Sequence, residues 1–315
     1  MNHILKRCVL GAFVAVSVSH SAVAATNVHG YITTNTEWTL ANSPYVVTST
    51  VLVENGATLT IDRGVVVKFS GQFNTLTVNS NSTLIAVGTA DSAITFTSVK
   101  DDSLGGDTNG DGNATSPAPG DWYYVGVSGS ATLDYVVMSY GGYGSSDHAY
   151  GALSASGAGA VVTVDHSHFF ANQRSGIVLG FNATTYVTHT EVNGNANGLS
   201  VTNANLAVNL ACNIHNNTDV GVWVDSAGYT GTPTSVQNSD ITNNSNYGVD
   251  LLVEGATLNR GARRNIYNNN IGVLSDQRQL YSLYATWTAS WTGNYWGPVT
   301  EKECDLDSFG TKSHL

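Results

Sequence analysis

One recurring line constrains the fold of this chain more than any other feature. It reads as asparagine, a few residues, glycine, then alternating apolar residues, and "IHNNTDVGVWV" (Ile214 to Val224) is a clear copy. The paired positions are Asn172 and Gly176, Asn195 and Gly198, Asn217 and Gly221, Asn244 and Gly248, and Asn269 and Gly272. The glycines follow one another after 22, 23, 27 and 24 residues. A period of this length marks a solenoid of stacked units.

Each line has the same physical content. Phe169, Ile214, Ile241 and Ile266 open lines, and pairs such as Val222 and Val224 alternate after the glycine. Alternation of period two predicts strands, and nothing in these lines has the 3.6 period of a helix. Asparagine tolerates left-handed backbone angles and bonds its own main chain, so it suits the corner between strands. Stacked coils would align these amides into a ladder. Glycine fits a corner that needs positive φ or close backbone approach. A β-sandwich would need antiparallel hairpins, for which Asn193-Gly194 is a suitable turn. A constant register over five lines points instead to parallel strands stacked as a β-helix. The same register places Ser167, Thr190, Cys212 and Ser239 in one inward stack of small residues. Cys212 is thus expected to be a buried, unreactive thiol that does not pair with Cys304. Arg264 occupies the matching place before Ile266, where it either distorts its coil or uses its charge.

Upstream the same grammar predicts strands at 57–61, 65–69, 75–78, 83–87 and 94–98. The segments "VLVENGATLTIDRGVVVKF", "GTADSAITFTS", "GGDTNGDGNATSPAPGDW", "LDYVVMSYGG" and "GNYWG" resemble secreted bacterial right-handed parallel β-helix repeat proteins of the pectate-lyase-like superfamily. The resemblance covers nearly all of the chain after its leader. It implies an all-β fold, a right-handed parallel β-helix, over residues 25–297. Similar chains continue past the "NYWG" block into a further acidic, strand-bearing stretch. Residues 298–315 are accordingly expected to form a C-terminal tail, a truncated closure of the helix.

The chain opens with Lys6 and Arg7, a short apolar run from Cys8 to Val18, and the small-x-small site Ala22-Val23-Ala24. That is the pattern of a secretory signal peptide over residues 1–24. A secreted, periplasmic or cell-surface protein is expected, with no transmembrane segment after cleavage. Only 11% of residues are charged and the net charge is −11. A nucleic-acid partner is excluded on this balance, because phosphate binding needs a basic patch. Apolar residues at 42% suffice for a core.

Chemistry is sparser. Asp107, Asn109, Asp111 and Asn113, with glycines between them, match the first half of a calcium loop. Calcium is therefore the expected cofactor, although Ala118 stands where a bidentate acid would close such a loop. Asp101, Asp102 or Asp121 would have to complete the shell, and the other reading is a plain surface loop. "YGVD" (Tyr247 to Asp250) resembles the catalytic segment of alginate epimerases, but Leu251 and Leu252 replace their Pro-His. The clustered aspartates and Gly-His-Gly of polygalacturonases are missing. Arg263 and Arg264 are the nearest match to the base of pectate lyases, without adjacent acids. Asp165, His166 and His168 read as neighbours on one strand, either a metal or acid–base cluster or simply polar residues of an outer strand. Trp287, Trp291 and Tyr295, with Trp296, either stack on sugars or cap the last coil. Three Thr-x-Thr pairs, at 58/60, 75/77 and 95/97, raise the flat threonine array of ice-binding solenoids. The function expected is a non-enzymatic β-helix binding glycan or another surface, with an extracellular or cell-surface polysaccharide as partner. The alternative is a polysaccharide lyase, epimerase or hydrolase. Acids and bases gathered on one face of consecutive coils would favour the enzyme.

Overall fold

The computed structural model describes residues 24–146, 148–225, 234–236, 239–252, 258–259, 265–267, 269 and 271–275. Trp287, Trp291, Tyr295, Arg263, Arg264, Cys304 and the signal segment up to Val23 lie outside the described residues.

Every pairing between strands is parallel, and each coil passes through three of them. A first face stacks Val66–Phe69, Ile94–Ser98, Val136–Ser139, His168–Phe170, Glu191–Asn193, Asn213–His215 and Asp240–Thr242. A second stacks Thr75–Val78, Tyr124–Val127, Gly151–Ser156, Ser175–Gly180, Asn197–Thr202, Val220–Asp225 and Tyr247–Leu252. A third, in its own sheet, stacks Thr58–Ile61, Thr83–Val87, Ser130–Asp134, Val161–Asp165 and Thr184–Thr188 before continuing through Asn205–Leu210. Apolar side chains at alternate positions meet in the middle. On the first face Val67, Phe96, Met138, Phe169, Val192, Ile214 and Ile241 lie in register, one per coil, and all are buried. No helix of the described residues is long and apolar enough to cross a membrane.

The corner between the first and second faces is the asparagine ladder. Asn172, Asn195, Asn217, Asn244 and Asn269 are buried and linked amide to amide at 2.9–3.2 Å. From Asn195 onward each Oδ1 also accepts the backbone N–H of the preceding asparagine, as Asn217 does from Asn195 at 3.1 Å, while Asn172 Oδ1 accepts the Gly141 N–H at 2.8 Å. Each Nδ2 also reaches back to a carbonyl of the preceding coil, as Asn217 does to Val192 at 3.3 Å. One side chain thus satisfies main-chain groups that a tight buried corner would leave orphaned.

Of the two reasons for glycine, close approach is the one that holds. Gly176, Gly198 and Gly221 do not take positive φ; the left-handed residues are the ones before the ladder, Ala171, Gly194, Asn216 and Asn243. The glycines are needed for close approach. A Cβ on Gly221 would sit 2.6 Å from the Gly248 carbonyl oxygen and 2.6 Å from Ile241 Cγ2. Asn193-Gly194 is likewise a corner between parallel strands and not a hairpin. Cys212 lies where the register put it, buried in line with Ser167, Thr190 and Ser239. Burial pushes its thiol up to about 11. The Thr-x-Thr pairs fall on three different faces, so they form no flat array.

Candidate functional site

The three faces differ in what they leave open. Residues 141–146 and 148–150 fold over the second face: Arg174 Nε donates to the Gly144 carbonyl at 2.9 Å, and the Gly144 N–H donates to Gln173 Oε1 at 3.1 Å. His148 lies flat on Trp223, with centroids 4.0 Å apart and planes 3° apart. Trp223 and the outward Ser200 are buried in consequence. Asp250 of the "YGVD" segment pairs in register with Trp223 on this covered face and is buried too. The third face exposes Thr132, Thr163 and Tyr186. Titratable groups gather instead on the first face and on the corner between the third and first.

That corner is built by backbone geometry. Ser130–Asp134 and Val161–Asp165 end on aspartates paired in register. The next residue of each coil is left-handed: Tyr135, His166 and His189 have φ of 49°, 43° and 43°. The three rings stack along the helix axis at 4.7 Å per step, nearly parallel. His166 Nδ1 lies 3.2 Å from Asp134 Oδ1 and 3.3 Å from Asp165 Oδ1. His189 Nδ1 lies 2.9 Å from Asp165 Oδ1. The Thr188 hydroxyl donates to the same oxygen at 2.7 Å, and the His166 N–H at 3.0 Å. Burial pushes the Asp165 carboxyl up, but the Thr188 and His189 hydrogen bonds and the nearby His166 outweigh it and hold the group below the usual carboxylate range.

The left-handed turn at His166 corrects one expectation. His166 and His168 do not share a strand face: the third-face strand stops at Asp165, and His168 opens the next strand around the corner. His168 belongs to a second group. Its Nε2 lies 2.9 Å from Asn193 Oδ1 and 3.9 Å from Glu191 Oε2, and its ring stacks on Phe170 at 4.7 Å. His215 Nε2 lies 2.8 Å from Glu191 Oε1. These groups stand on three consecutive coils, since Phe170 pairs with Asn193 and Asn193 with His215. The ridge therefore carries acids and bases side by side, all partly open to solvent.

Asp134, His189, Glu191 and His215 were not singled out from the sequence. The signal was present: His189 follows His166, and Glu191 follows His168, by the same 23 residues that separate Asn172 from Asn195.

The aspartate loop leaves the helix between the first-face strand Ile94–Ser98 and the second-face strand Tyr124–Val127. Its root is tied by Thr97 to Asp101 at 2.8 Å and by Asp121 to Ser98 and Lys100, both at 2.7 Å. Asp107 accepts the N–H groups of Gly110, Asp111 and Gly112. The Gly112 bond, opposed by partial burial and aided by the other two amides, holds its carboxyl low. Ligand oxygens of Asp102, Asp107 and Asp111 lie within 4.8 Å of one another. Asn109 donates its Nδ2 to Asp111 at 2.8 Å, and Asn113 is exposed. Buried Lys68 reaches into the loop, donating to the Gly106 carbonyl at 2.6 Å. Desolvation lowers its pKa, while the charges of Asp101, Asp102 and Asp107 oppose that. Burial and the neighbouring Asp107 raise Asp102.

Residues 118–273 match a family model described as a right handed beta helix region. The chain is a right-handed parallel β-helix protein. No curated protein matches its sequence. Among solved structures, a mutant of the periplasmic alginate epimerase AlgG aligns with the β-helix at 16% identity and a TM-score of 0.46. The alignment covers 78% of this chain and 65% of that one, so this β-helix spans just under two thirds of its length. A second structure of that epimerase aligns at 10% identity and a TM-score of 0.32, covering 77% of this chain and 70% of that chain.

Proposed function

We propose that this chain is an exported β-helix protein that binds a neutral or weakly charged polysaccharide along the ridge of its middle coils. Export rests on the signal-like residues 1–24. The observation that carries the binding reading is the run of imidazole, carboxylate and amide groups, each at least partly exposed, on three successive coils: His168, then Glu191 and Asn193, then His215. Successive coils rise by about 4.8 Å, close to the length of one pyranose unit, so neighbouring sugars would meet equivalent positions. Donors and acceptors in a row suit hydroxyl groups, and Phe170 beside them offers a ring for stacking. The net charge of −11 disfavours polyanions. A glycan array with the mature chain, followed by calorimetry, tests this. Glu191→Ala with His215→Ala is expected to weaken neutral-glycan binding at least tenfold, or about 1.4 kcal/mol, with little dependence on salt. Unchanged binding by that variant would remove the ridge from consideration.

One contact favours a second reading, catalysis on the bound chain. Glu191 and His215 are 2.8 Å apart, within reach for proton transfer. Lyase or epimerase chemistry also needs a cation or donor facing the sugar carboxylate. Among the described residues, the charged partners of His166, His168, His189 and His215 are all carboxylates, whereas Lys68 and Arg174 bond loop carbonyls and Lys100 bonds Asp121. No unsaturated product is therefore expected from pectate or alginate. Turnover that disappears in Glu191→Gln would install the enzyme.

Calcium belongs to the same proposal, with Asp102, Asp107 and Asp111 as its ligands in place of the set Asp107, Asn109, Asp111 and Asn113. Lys68 already supplies positive charge beside these acids, so the ion would add to a partly neutralised cluster. A hundredfold excess of ion over Kd stabilises the folded chain by about 2.7 kcal/mol. The melting temperature should fall with chelator, and Asp107→Ala with Asp111→Ala should abolish that response. A wild type indifferent to chelator would leave the segment as a loop and nothing more.

A further inference from the structure

The geometry points to a divalent transition-metal site at the corner of the middle coils, formed by Asp165, His166 and His189. Three side chains from two successive coils converge there, with Asp134 of the coil before beside His166. The oxygens and nitrogens that face each other are Asp134 Oδ1, His166 Nδ1, Asp165 Oδ1 and His189 Nδ1, with separations of 3.2, 3.3 and 2.9 Å along the series. Metal–ligand bonds of about 2.0–2.1 Å in a tetrahedron place neighbouring donors about 3.3 Å apart. The three donors of Asp165, His166 and His189 all lie within 4.8 Å of one another, so tilting the two rings out of their parallel stack brings all three around one ion.

The donor types select the metal. Two imidazole nitrogens with carboxylates suit Zn²⁺ and its first-row neighbours, whereas Ca²⁺ and Mg²⁺ take all-oxygen shells. The supports are those of a held site. Thr188 and the His166 N–H fix the Asp165 carboxylate. Such outer contacts orient metal ligands. The group is also open: the side chains of His166 and His189 keep 39% and 44% of their exposure, so an ion could enter and keep a water or an outside ligand. Metal would replace the ring protons that now face the carboxylates. The inference does not depend on the glycan reading, which uses His168, Glu191 and His215.

The test uses the mature chain without a histidine tag. Titration with Zn²⁺ and with Co²⁺ is expected to show one equivalent of tight binding at this corner, with the visible absorption of four-coordinate Co²⁺. Zn²⁺ should protect His166 and His189, but not His168 and His215, from imidazole acylation mapped by peptide. His166→Gln with His189→Gln should weaken the metal more than about a hundredfold, beyond what loss of a supporting contact does. His168→Gln with His215→Gln should bind as the wild type does. His166 and His189 are surface side chains, so metal-free melting of the first variant should stay close to wild type. If the first pair of substitutions destabilises the fold, the protection map on the wild type still decides. The proposal is overturned if no metal binds, if affinity survives loss of His166 and His189, or if protection falls on the other pair.

Discussion

Asn217→Ala is expected to cost the β-helix about 3–5 kcal/mol, since each buried polar group left unsatisfied costs about 1–3 kcal/mol. Asn217 sits mid-ladder and is fully buried. Its Oδ1 accepts the Asn195 N–H at 3.1 Å and the Asn195 Nδ2 at 3.2 Å. Its Nδ2 donates to the Val192 carbonyl at 3.3 Å and to Asn244 Oδ1 at 2.9 Å. Truncation therefore orphans the Asn195 backbone N–H and breaks the amide–amide bonds to Asn195 and Asn244, in a space closed to water by neighbouring coils. Denaturant unfolding followed by circular dichroism measures the loss. Asn213→Ala, on the exposed face one strand earlier, should stay within about 0.5 kcal/mol of wild type. Neighbouring rungs share their bonds, so Asn195→Ala combined with Asn217→Ala should cost less than the two singly. A loss below about 1 kcal/mol for Asn217→Ala would mean that the ladder lines the corner without holding it.

Gly221→Val is expected to cost about 3 kcal/mol or more, at or beyond the upper end for overpacking a core. Nothing flexible stands in the way of the added Cβ: its nearest neighbours are the Gly248 carbonyl oxygen at 2.6 Å, Ile241 Cγ2 at 2.6 Å and Asn244 Nδ2 at 2.8 Å. Relief would have to come from moving the next coil, which breaks ladder bonds. Because φ is not positive here, Gly221→Ala should also be strongly destabilising, through space and not through backbone strain. Gly157, with φ of 104° and no atom within 4 Å of an added Cβ, is the reverse case. Gly157→Ala should be hurt by its backbone alone and by less. Melting curves of the three variants distinguish crowding from conformation. Wild-type stability in Gly221→Ala would contradict the close approach of the coils.

The repeat in the sequence was sufficient for the architecture. A five-fold recurrence of asparagine and glycine, with apolar residues alternating between them, admits few solutions other than stacked parallel coils, because each amide needs a partner at one coil's rise. The ladder, the inward stack that holds Cys212 and the upstream strands were all legible for that reason. The physical cause of the glycines was not. Sequence alone makes positive φ and close approach equally good reasons for glycine, and only the packed neighbours decide between them. The ridge was half legible. Asp165, His166 and His168 stood out as a local cluster, but alternation along a strand put both histidines on one face. One left-handed residue at His166 turns the chain through a corner, so His166 joins Asp134 and His189, and His168 joins Glu191 and His215. These partners lie 23 to 32 residues apart, and what brings them together is the coil period, which sets which positions stack. Which face stays open was decided by tertiary structure alone. Residues 141–146 and 148–150 have no repeat pattern, and their fold across Trp223 depends on contacts with Gln173 and Arg174 that no local spacing encodes.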